Sequence, residues 1–180
     1  MKIFFDTEFT WLRQDTSLIS IGMISEDWRE FYAEFTDYDK SQIDSWLQEN
    51  VINNLKFNQF TDSGFIINND SGNFEIKATS LSVKEQLTKW LSQFDTIEIW
   101  SDCLSYDWVL FNTLMADYSE GYPKLPSHIN YIPFDICTLF QIKWIDPDIS
   151  RELFSGMEGK KHNALYDAKV IRECYNKLTN

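Results

Sequence analysis

Cations are scarce in this chain of 180 residues: 16 Lys and Arg stand against 28 Asp and Glu, a formal charge of −12, with only two histidines. Such a deficit excludes long, non-specific binding along duplex nucleic acid, which depends on Lys and Arg neutralising phosphates. Cysteine is scarce too. Cys103, Cys137 and Cys174 are odd in number, lie in apolar surroundings and have no zinc spacing, which excludes a structural zinc site and points to reduced thiols in a cytoplasm. No uncharged run much exceeds about ten residues, whereas a membrane helix needs roughly 18. Acids at positions 6 and 8 interrupt the start before a signal-peptide core could form. Six glycines and four prolines are too few for collagen or a disordered tract. Aromatic residues, by contrast, are plentiful, with seven Trp, eight Tyr and 14 Phe in a chain that is 43% apolar. A chain of this length buries roughly 70% of its unfolded surface, so one domain over 1–180 with a full core is expected.

The first 35 residues read as a three-strand meander: Lys2–Phe9, Ser17–Ser25 and Arg29–Phe35, joined by polar turns. Helical spacing follows at 43, 46, 47 and 51 within Asp39–Val51. Residues 56–80 are polar, and FIINNDSGNFEIKA within them suggests an inserted hairpin around Asn-Asp-Ser-Gly. Then come a helix over Ser82–Phe94, a buried strand TIEIWS, a helix over 105–117, a short strand Tyr131–Phe134, a helical turn ICTLFQIKW, a loop holding Gly156 and Gly159, and a last helix over 163–178. A meander followed by alternating strands and helices predicts an α/β fold, a mixed sheet with helices on both faces.

Asp6 and Glu8 lie two apart on the first strand, hence on one face, inside the apolar run Ile3, Phe4, Phe5, Phe9. Buried carboxylates are costly unless paired or bound to metal. Asp107 follows TIEIWS at the start of the next helix, with Asp102 a rival in the same loop; Asp167 lies in the last helix, and His162 precedes it. Each alone has an ordinary structural explanation: a solvated strand end, a helix N-terminus, a solvated helix face. Asp135 reads as a helix N-cap and stays outside the site. If Asp6, Glu8, Asp107 and Asp167 converge, each pair about 6 Å apart repels by about 3 kcal/mol at an effective dielectric near 20. Six such pairs exceed what a small domain tolerates unneutralised. Two Mg²⁺ or Mn²⁺ ions would cancel the charge, and all-carboxylate ligation suits hard cations. Paired divalent ions are the arrangement that cleaves phosphodiesters.

The set FDTEF, SYD and HNALYDA resembles the DEDDh 3′–5′ exonucleases, the proofreading and RNase T-like superfamily on a ribonuclease H-like fold. The order matches: D-x-E first, a middle acid preceded by an aromatic, then H-x4-D. More narrowly, FFDTEF, LISIGMISEDWREFYA and DSWLQENVI look like the small bacterial and phage 3′–5′ exoribonucleases typified by a mycobacterial enzyme with polyadenylate preference. The resemblance implies Asp6 bridging two metals, Glu8 and Asp167 completing one site, Asp107 serving the other, and His162 as general base. It departs at Asp102, where many members carry Asn, so Asp102 is a spare ligand or a neighbour of the site. Phe9, Trp11 and Leu12 stand where the family places wedges that stack on a terminal base, and Phe9 could equally be core. Lys161, with Lys160, Arg151 and Lys143, could position a phosphate backbone or simply form a solvated basic loop.

The function expected is metal-dependent 3′–5′ hydrolysis of single-stranded RNA or 3′ overhangs, with single-stranded DNA as a further substrate, to nucleoside 5′-monophosphates. The resemblance also allows a homodimer. The alternative is a catalytically silent nucleic-acid binding or assembly module on the same fold. An aspartyl-nucleophile phosphatase is disfavoured because the second acid is Glu8 and not Asp.

Overall fold

In a computed structural model, residues 1–58, 65–68, 72–119, 121 and 124–180 are described. Among these residues seven strands form one mixed sheet: β1 (Lys2–Phe9), β2 (Leu18–Ser25), β3 (Glu30–Phe35), β4 (Phe65–Asn68), β5 (Phe74–Ala78), β6 (Glu98–Ser101) and β7 (Phe134–Asp135). Their order is β4-β5-β3-β2-β1-β6-β7. The first three strands form the expected antiparallel meander, and β6 and β7 run parallel to β1 on its other side. This is a ribonuclease H-like arrangement, with β1 between the antiparallel meander and the parallel β6.

The two faces follow from alternation along β1. Ile3 and Phe5 pack with Val83, Leu87 and Leu91 of α2 (Ser80–Leu91) and Phe111 and Met115 of α3 (Leu104–Met115). Phe4 faces the other way, onto Phe140 of α4 (Ile136–Ile142) and Ala168, Ile171 and Cys174 of α6 (Ala164–Thr179). Helices thus cover both faces. Among the described residues no helix is long and apolar enough to cross a membrane.

Four local readings change. The helix expected over Asp39–Val51 is split into a 3₁₀ turn, Lys40–Gln42, and a short α1, Ser45–Asn50. Asp39 and Asp44 each turn a side-chain oxygen onto a backbone N–H two or three residues on, and two such caps cannot lie inside one helix. The strand expected over Tyr131–Phe134 shrinks to Phe134–Asp135. Pro133 has no N–H for a ladder, and Tyr131 and Ile132 are exposed. A further helix, α5 (Arg151–Ser155), occupies the stretch read as loop; Ser150 caps its start, and Gly156 ends it in the left-handed conformation with φ 72°. The strands of the expected hairpin, β4 and β5, pair antiparallel, while β5 also runs parallel to β3 and so extends the main sheet. Residues 69–71 of the turn between them lie outside the described residues.

Candidate functional site

The C-terminal end of β1 delivers Asp6 and Glu8 to the α6 side of the sheet, where α6 crosses unusually close. Gly22 of β2 is the register partner of Asp6. A Cβ there would stand 2.2 Å from the backbone nitrogen of Leu165 and 2.3 Å from the carbonyl carbon of Ala164. Only glycine lets the first turn of α6 rest on the strand, and that turn carries Asp167. Asn163 caps it, accepting from the Tyr166 N–H at 3.2 Å.

Asp107 arrives from the opposite side, in the first turn of α3. It is fully buried and held by two hydroxyls: Thr7 Oγ1 donates to one carboxylate oxygen and Ser101 Oγ to the other, each at 2.5 Å. Asp102, just past β6, is half-buried. Its carboxylate lies 3.7 Å from Arg151 Nε, whose guanidinium is fixed by the carbonyl of Ile149 and by Cys137 Sγ.

The structure brings these acids together as two triads that share Asp6. Oxygens of Asp6, Glu8 and Asp167 lie within 4.8 Å of one another, as do those of Asp6, Asp102 and Asp107. Both middle acids therefore reach Asp6. Asp6, Glu8, Asp102 and Asp167 line a cleft of about 420 Å³ together with Arg151, Glu152, Lys161 and His162.

Charge of one sign at this density resists ionisation. Burial, then the charges of Asp107, Glu8 and Asp167, push Asp6 well above the usual carboxylate range. Burial and then Asp167 push Glu8 up to about 8. Asp107 rises to about 7 through burial, against the lowering pull of its two hydroxyl partners. Asp167 rises to about 7 through burial and Asp102, and Asp102 rises through burial, with Arg151 pulling it down. An oxygen-only donor set that cannot hold its own charge fits hard divalent cations, and does not fit a zinc site built on nitrogen and sulfur.

His162 sits immediately before α6 with φ 60°, a left-handed conformation that a side chain seldom adopts. Burial, and then the Lys161 cation, lower its pKa below the ordinary value, so the imidazole is neutral near pH 7. Lys161 is exposed and pairs with Glu152 at 3.3 Å. Phe9 is half-buried and stacks on Tyr106 at 5.3 Å between ring centres, while Trp11 and Leu12 are exposed beyond it.

Sequence reasoning assigned Trp46 to the apolar face of a helix. The broken helix turns it outward instead: it is 45% exposed, tilted against Trp11 at 5.8 Å and edge-on to His162 at 5.2 Å. A large aromatic next to two cap signals, Asp39 and Asp44, was the only hint that the helix would break and free it.

Comparison with known proteins places the chain in a family. The family described as the 3′-5′ exoribonuclease Rv2179c-like domain matches residues 1–179. The chain is 42% identical over 55 residues to 3′-5′ exoribonuclease Rv2179c of Mycobacterium tuberculosis H37Rv and, equally, to 3′-5′ exoribonuclease MT2234.1 of strain CDC 1551. Those matches span 31% of this chain and 33% of each relative. By the match over nearly its whole length, this chain belongs to the Rv2179c-like 3′–5′ exoribonuclease domain family.

Proposed function

We propose that the protein is a metal-dependent 3′–5′ exonuclease that removes nucleoside 5′-monophosphates from single-stranded RNA, with 3′ overhangs and single-stranded DNA as further substrates. The observation that carries the reading is the pair of carboxylate triads sharing Asp6. Asp6, Glu8 and Asp167 would hold one divalent ion, Mg²⁺ or Mn²⁺, and Asp6, Asp102 and Asp107 a second. Such ions supply a lowered pKa for water and an offset for the charge that builds on the leaving oxygen.

The chain's own residues supply the rest. His162, neutral at working pH, takes the proton of the attacking water on an imidazole nitrogen and passes it to solvent. Water oxygen bonds to phosphorus, the bond to the 3′-oxygen of the penultimate nucleotide breaks, and that oxygen takes a proton from solvent. Trp11, Leu12 and Phe9 offer apolar surface to the terminal base. Lys161 and Arg151, on the cleft wall, oppose the acids and favour a phosphate's entry. A free 3′ end needs only a short groove, which suits a chain of charge −12.

Digestion of 5′-labelled single-stranded RNA and its DNA counterpart, with Mg²⁺, Mn²⁺ or EDTA, tests this reading beside Asp6→Ala. The expected result is a ladder shortening from the 3′ end, absent in EDTA and in the variant. A folded protein that binds the oligonucleotide yet shortens neither strand would be a binding module instead. Light scattering of the same sample tests the homodimer, and cell fractionation the cytoplasmic setting.

A further inference from the structure

Trp46 stands in two places at once. The indole helps enclose a cavity of about 190 Å³ that Glu8, Phe9, Trp11, Leu12, Leu47 and Val51 also line. That volume lies below the roughly 300–1,000 Å³ of pockets that hold drug-sized ligands, and suits a single flat ring system. The cavity shares Glu8 and Phe9 with the acidic cleft, so it lies beside the carboxylates. The same indole meets the His162 ring edge-on, 5.2 Å between centres and 74° between planes. His162 needs such support, because its backbone is in a left-handed conformation and its loop includes the exposed Gly159. No side-chain hydrogen bond holds its imidazole among those the structure shows within the described residues.

Resting on the reading above, we propose that Trp46 is a positioning residue that couples occupancy of the terminal-base cavity to the placement of His162. A base seated against the Trp11–Trp46 pair restricts the indole, and the indole restricts the imidazole. Catalysis is then faster when the 3′-terminal nucleotide carries a base. The coupling is indifferent to which base, since stacking needs only a flat aromatic face. A misplacement of about 1 Å in a proton-accepting group costs on the order of a hundredfold in rate, so a loose His162 is costly.

Two measurements test the coupling. With a single-stranded RNA ending in a normal or an abasic 3′ residue, the wild type is expected to turn over the abasic end at least roughly tenfold more slowly, within the span that one stacked base contributes. In Trp46→Ala, kcat should fall on the normal end and the difference between the two ends should vanish, with Trp46→Phe restoring most of both. A Trp46→Ala that raises KM at unchanged kcat would make Trp46 a binding surface only, and an equal fall on both ends would make it merely structural. Either result overturns the proposal. The second measurement needs no turnover. The chain has two histidines, His128 and His162, so His162→Gln assigns the imidazole NMR signals. Adenosine 5′-monophosphate, but not ribose 5-phosphate, should move the His162 signal in the wild type and leave it in place in Trp46→Ala. Equal shifts from both probes would overturn the coupling. If the NMR coupling appears but no oligonucleotide shortens, the exonuclease reading fails while the coupling stands.

Discussion

Asp107 and Asp102 are five residues apart and are held in opposite ways. Asp107 is sealed between the hydroxyls of Thr7 and Ser101, so its orientation is fixed before any cation arrives. Asp102 faces the cleft, with the Arg151 guanidinium behind it. An Asn at 107 keeps the shape and can still pair with both hydroxyls, since each can turn to donate or accept, but it removes a buried charge. Asp107→Asn is therefore expected to melt higher than the wild type in EDTA at about pH 8, by a few degrees for each kcal/mol relieved. It should also lose about a hundredfold or more in cleavage, the loss of about 3 kcal/mol of charge stabilisation. Parallel melts and rate assays check both halves; a variant that is active and no more stable would show that Asp107 serves neither role.

Among the elements, α6 owes its position to a missing side chain. Its apolar residues Ala168, Val170, Ile171 and Cys174 would pack on the sheet in many heights and rotations. Gly22 selects the one in which the helix start touches β2 beside Asp6. Gly22→Ala forces backbone against backbone, which no rotamer change relieves. The expected cost is about 1–3 kcal/mol of stability, the usual range for overpacking, with a disproportionate loss of activity as Asp167 retreats from Asp6 and Glu8. Denaturant unfolding and metal titration together decide it: a stability loss with unchanged metal affinity would mean that the helix start tolerates displacement.

Taken as a whole, the molecule holds its acids at the edge of what folding permits. Unfolded carboxylates titrate near pH 4, whereas Asp107 and Asp167 titrate at about 7 and Glu8 at about 8 when folded without metal. Between about pH 4 and 8 the native state therefore holds more protons than the unfolded state, so the metal-free protein loses stability as pH rises through that window. Below it the acids are protonated in both states and the penalty disappears. Divalent cations should reverse the trend, because a ligand at a hundred times its Kd adds about 2.7 kcal/mol. Melting curves in EDTA should fall from about pH 5 to pH 8, and Mn²⁺ should raise the melting temperature at pH 8 by about 5–10 °C. Curves that ignore both pH and metal would refute the account of the cluster.

Legible in the sequence were β1 to the residue, the meander, most of the strands and helices that follow, and the acids on an otherwise apolar strand. These are local facts: alternation and helical spacing act over a few neighbours, and Lys2–Phe9 carries its two faces in its own order. The sequence likewise put Asp135 at a helix start, where it accepts from the Cys137 and Thr138 N–H groups. That both Asp102 and Asp107 reach Asp6, and that Trp46 turns outward against His162, emerges only from the tertiary fold. The same holds for the glycine of β2 that sets the height of the last helix. Each of these depends on atoms more than 20 residues apart in the chain, such as Gly22 beneath Leu165 or Trp46 beside His162. Their separation is set by the packing of whole layers, and no pattern of spacing along a single segment records it.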